Sequence, residues 1–70
     1  MTAKTISQIV RGYQQATTKR DGSDTIIRLA SWEMTPDQTV LMERRIKKEL
    51  MDNGYSARSD IEIGRVRVEG

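Results

Sequence analysis

The chain has no cysteine and no histidine. Disulfides are therefore excluded, and so is a zinc site of the usual Cys/His kind. The commonest catalytic base and the strongest nucleophile are missing with them, so no enzymatic constellation is expected. Phenylalanine is absent too, and the aromatic set reduces to one Trp and two Tyr. Leu, Ile and Val make 14 of 70 residues. That is thin for a single domain over 1–70, and it points to a marginal core that gains from an oligomer or an obligate partner. No run approaches the ~18 apolar residues a membrane span requires. Met1 to Thr5 carries one Lys with no apolar segment after it, unlike a secretory signal. The expectation is a cytoplasmic protein with no membrane, small-molecule substrate, metal or cofactor. Twelve basic and ten acidic residues leave a net charge of +2. Nucleic-acid binding would then depend on clustering rather than bulk charge.

What is present reads most clearly from Thr35 to Tyr55. Thr35 and Gln38 have capping-box spacing, Pro36 stands at the first helical position, and Asp37 complements the positive end of the dipole. Gly54 can take a left-handed C′ position, with Tyr55 folding back on Leu50. Met42, Ile46 and Leu50 form the expected core stripe. Glu43–Lys47 and Arg45–Glu49 are i,i+4 pairs on an expected solvent face.

Before this helix, Asp21-Gly22 reads as a type I′ loop between two strands. Thr25 to Trp32 is the second strand. Its expected register pairs Arg20 with Ser23, Thr17 with Ile26, Ala16 with Ile27, Gln14 with Leu29 and Tyr13 with Ala30. One face then carries Ala16, Ile27 and Leu29, and the other Tyr13, Gln15, Thr17, Ile26, Arg28 and Trp32. Ile6, Ile9, Val10 and Tyr13 recur at helical spacing behind a Thr5–Gln8 capping box, while a strand from Ile9 to Thr18 is the rival. After the helix, Ile61 to Val68 reads as a last strand whose alternation changes phase at Gly64. A bulge there would bring Ile61, Ile63, Val66 and Val68 to one face; a two-sided strand is the alternative.

The fold class is thus α+β: a three-stranded antiparallel sheet with one main helix on one face, ordered ββαβ. A short N-terminal helix is the runner-up addition.

Two candidate surfaces follow, each with a plain structural alternative. Tyr13, Arg28 and Trp32 share one sheet face in this register, with Arg11 opposite Trp32. Exposed aromatics beside Arg fit a protein-binding hot spot or a base-stacking platform. The plain alternative is that Trp32 closes the edge of the core. On the helix, Val40, Arg44, Lys47 and Met51 lie off the core stripe and could pair two copies or meet a partner; scattered exposed apolar residues are the alternative. The leading function is a non-enzymatic protein-interaction module, a regulator or inhibitor of a larger protein or a homodimer. The rival is nucleic-acid binding through Arg11, Arg28, Arg65 and Arg67 on the sheet, or Arg44, Arg45 and Lys48 on the helix. Glu62 and Glu69 dilute that stripe.

The 11 residues Gly12-Tyr13-Gln14-Gln15-Ala16-Thr17-Thr18-Lys19-Arg20-Asp21-Gly22 resemble the hairpin of the lambda gpW family of phage head–tail joining proteins. That family's long first helix has no counterpart here, and this chain adds a C-terminal strand. The resemblance implies only that phage-type small proteins belong among the candidates.

Overall fold

The computed structural model describes residues 3–70. The elements run α1 (Ile6–Arg11), β1 (Ala16–Asp21), β2 (Asp24–Leu29), a 3-10 turn η1 (Ser31–Glu33), α2 (Pro36–Asp52), β3 (Ala57–Ser59) and β4 (Arg65–Val68). The class is α+β with one main helix on an antiparallel sheet, but the sheet has four strands rather than three, in the order β1-β2-β4-β3. The short N-terminal helix is present. No described helix is long and apolar enough to cross a membrane.

Both helices begin as their residues dictate. Thr5 accepts from the Gln8 N–H while Gln8 accepts from the Thr5 N–H, and Thr35 and Gln38 repeat the arrangement at α2. α2 ends in a Schellman motif. The Tyr55 N–H donates to the Leu50 carbonyl at 3.0 Å and the Gly54 N–H to that of Met51 at 3.0 Å, with Gly54 at φ +89.

The core is a cluster of Ile9, Val10, Ile27, Leu29, Ile46, Leu50, Val66 and Val68. The strand residues in it share one sheet face, which α1 and α2 cover. Along α2 the buried positions are Thr39, Glu43, Ile46 and Leu50. Met42 packs at the margin, and Glu43 is inside rather than on the solvent face.

The hairpin register also differs from expectation. Ala16 pairs with Leu29, Thr18 with Ile27, and Asp21 with Asp24. The loop is therefore Gly22-Ser23. Gly22 has φ +62 and Ser23 is not left-handed, the pattern of a type II′ turn. The slide is two residues, so the side chains within β1 and β2 keep their expected faces, whereas Tyr13, ahead of β1, packs on the helix side. The last strand is shorter than expected. Only Arg65–Val68 pairs, with Val66 and Val68 inward, while Ile61 and Ile63 lie in the β3–β4 loop. Gly64, at φ +86, turns that loop back into β4; it does not bulge a longer strand.

The sheet face away from the helices has its own order. Arg67 on β4 donates to Asp24 on β2 at 2.8 Å and to Asp21 on β1 at 2.9 Å. To reach β1 its side chain must lie across β2. Ile26 is its direct cross-strand neighbour and is only 1% exposed, so the arginine stem acts as its cover.

Candidate binding surface

Three large apolar side chains that the core leaves exposed stand on two segments, η1 and the β3–β4 loop, whose backbones meet at Gly64. After β2, the Ala30 N–H donates to the Gln15 carbonyl at 2.7 Å and the Glu33 N–H to Ala30 at 3.0 Å. These bonds fix η1 and hold Trp32 out in solvent, 76% exposed. The β3–β4 loop is clamped beside it. The Gly64 N–H donates to the buried Glu43 carboxylate at 2.7 Å, and the Gly64 carbonyl accepts from the Leu29 N–H at 2.7 Å. A Cβ on Gly64 would stand 3.3 Å from Cβ of Ser31 and 3.4 Å from Cγ2 of Thr39. The glycine is thus where loop, η1 and α2 meet. At the loop's entrance the Asp60 N–H donates to the Arg65 carbonyl at 3.0 Å. Ile61 and Ile63, held in this frame, are 100% and 65% exposed.

Arg28 stands on the adjoining open face and lines a shallow depression with Trp32, Thr17 and Gln14. The structure therefore brings Arg28 and Trp32 together. It does not bring Tyr13 or Arg11 to them. Tyr13 is half-buried on the helix side, and its hydroxyl donates to Glu49 at 3.4 Å. Burial first, then the Glu49 charge, raises its pKa above the ordinary phenol value. Arg11 closes α1. On α2, Val40 and Lys47 are half-buried, Arg44 is exposed, and Lys47 Nζ donates to Ser59 Oγ at 2.7 Å. Met51 is exposed beside Tyr55 and Ala57. Of this flank, Lys47 and Met51 thus stand beside β3.

The basic residues do not converge. Arg28, Arg65 and Arg67 share the open face, but Arg65 lies between Asp60 at 3.7 Å and Glu62 at 3.5 Å, and Arg67 is held by Asp21 and Asp24. The Arg67 hydrogen bond, then that from the Gly70 N–H, keeps the Asp24 carboxyl below its usual range. Asp24, then Asp21, raises the Arg67 guanidinium further. Arg44, Arg45 and Lys48 are on α2, with Lys48 paired to Asp52 at 3.5 Å.

Sequence reasoning missed Ile61 and Ile63 as surface residues because it placed them in the last strand. The signal was present in Asp60 and Gly64, turn residues that bracket Ile61-Glu62-Ile63. No family model, curated protein or solved structure matches the chain.

Proposed function

We propose that this chain is a non-enzymatic protein-binding module that docks through Trp32, Ile61 and Ile63, with Arg28 at the rim. The observation that carries the reading is the meeting of η1 and the β3–β4 loop at Gly64, which holds large apolar side chains outside the core on a fixed backbone. A rigid aromatic anchor with aliphatic neighbours and an adjacent Arg is the composition of an interaction hot spot. Pre-organised loops reduce the entropy lost on binding. The partner would present an apolar pocket for Trp32.

Trp32 is the only tryptophan, so its fluorescence reports directly on docking. A protein co-purified from the source cells, identified and then titrated, should shift Trp32 emission to the blue. A variant carrying Ile61→Ser and Ile63→Ser should melt as wild type does and bind at least about tenfold more weakly, since each substitution removes apolar surface that docking would bury. Unchanged affinity would refute this surface. Titration with single-stranded DNA and RNA at low salt tests the rival: quenching of Trp32 that fades steeply as salt rises would favour base stacking and phosphate contact.

A further inference from the structure

A second surface stands apart from the Trp32 end. β1 is an edge strand, six residues long, with no proline. Asp21 and Asp24 close a two-residue loop, so pairs along the hairpin alternate between bonded and non-bonded. Asp21, Lys19 and Thr17 exchange hydrogen bonds with β2, and Gln15 continues the series by accepting from the Ala30 N–H. The backbone N–H and C=O groups of Thr18 and Arg20 consequently point away from the sheet. They open onto a groove between β1 and α1. Two depressions share Ser7 and Thr18 and together follow β1 along its length, one bounded by Lys19 and Arg20, the other by Arg11. Among the described residues, none of Arg11, Lys19 and Arg20 forms an ion pair.

We infer that this groove accepts an extended acidic segment of a partner protein as a fifth strand, paired antiparallel or parallel to β1. Unpaired edge groups supply the main-chain bonds of strand addition. Three unpaired cations supply the selectivity for Asp and Glu. The same charges argue against a second copy as the occupant. Antiparallel pairing of two β1 edges would bring Lys19 and Arg20 of both chains together, and like charges on paired strands destabilise the pairing.

The test uses the full chain, labelled for amide correlation spectra, and two synthetic peptides of eight residues, one alternating Thr and Glu and the other Thr and Lys. The acidic peptide should cause saturable shifts centred on the Thr18 and Arg20 amides and slow their hydrogen exchange; the basic one should not. Thr18→Pro removes an edge donor without touching a β2 bond, and it should abolish the effect. Lys19→Glu with Arg20→Glu should weaken binding about tenfold or more, and it keeps the test decisive where the proline variant fails to fold. The inference is overturned by shifts confined to other elements, by equal binding of both peptides, by binding that survives Thr18→Pro, or by no shift at millimolar peptide. Shifts that follow protein concentration without peptide would assign the edge to a second copy and also overturn it.

Discussion

Asp21 and Asp24 face each other directly across the hairpin, an arrangement that is unfavourable unless a cation joins them. Arg67 is that cation, and it arrives from a strand more than forty residues later in the chain. The consequence is a defined pH dependence. The folded Asp24 carboxyl titrates below its ordinary value, so its contribution to stability is complete above the unfolded pKa of about 3.9 and is lost as pH falls through the lower folded value. Melting temperatures measured from neutral pH down to about pH 2 should therefore drop on the acid limb. Asp24→Asn should lower the neutral melting temperature and flatten that limb. An unchanged acid limb would mean that Arg67 does not hold Asp24 in solution. Glu43 provides a second residue-scale test. It is buried and accepts the Gly64 N–H. Glu43→Ala leaves that donor without a partner and should cost about 1–3 kcal/mol in urea melts. Glu43→Gln retains an acceptor oxygen and should cost less.

At the scale of elements, legibility followed the range of the interactions. The caps of α2 are local, and all of them are present: Thr35, Pro36, Gln38 and Gly54 act where the sequence puts them. Thr35→Ala should accordingly cost about 0.5–2 kcal/mol, and Gly54→Ala should destabilise because a Cβ resists φ +89. Unchanged urea midpoints would contradict the cap geometry. The hairpin was legible in its faces but not in its register, because the II′ loop at Gly22-Ser23 brings Asp21 opposite Asp24, where the distant Arg67 reaches both. β3 was not legible at all. Ala57, Arg58 and Ser59 carry no β-branched or aromatic residue, and they extend only because β4 offers a free edge and α2 a flank. Ile61 and Ile63 drew the last strand too far forward because their alternation is a strand signal. Glu43, taken for a solvent residue by its spacing to Lys47, was claimed by a backbone donor 21 positions away.

For the whole molecule, a four-stranded open sheet with two edges raises the question of pairing between copies. β1 and β3 are the edges. β3 is three residues long, its Arg58 is exposed, and Lys47 ties its end to α2. Such a short edge offers little to another strand. β1 is longer and its protection is electrostatic, supplied by Lys19 and Arg20. The flank of Val40, Arg44, Lys47 and Met51 has in turn lost much of its capacity to pair two copies, since Val40 and Lys47 are already half-buried and Lys47 is tied to Ser59. The arrangement predicts a monomer. Sedimentation velocity should accordingly give a single monomeric species up to about 1 mM at physiological salt, where exposed charges still act over a Debye length of about 8 Å. Replacing Lys19 and Arg20 by Thr leaves β propensity intact and removes the repulsion, so that variant should sediment faster as its concentration rises. Self-association of the wild type that persists in Met51→Glu and strengthens when Lys19 and Arg20 are replaced by Thr would place the contact on β1 and show that two cations do not suffice to guard it. Self-association abolished by Met51→Glu would return the interface to the helix flank.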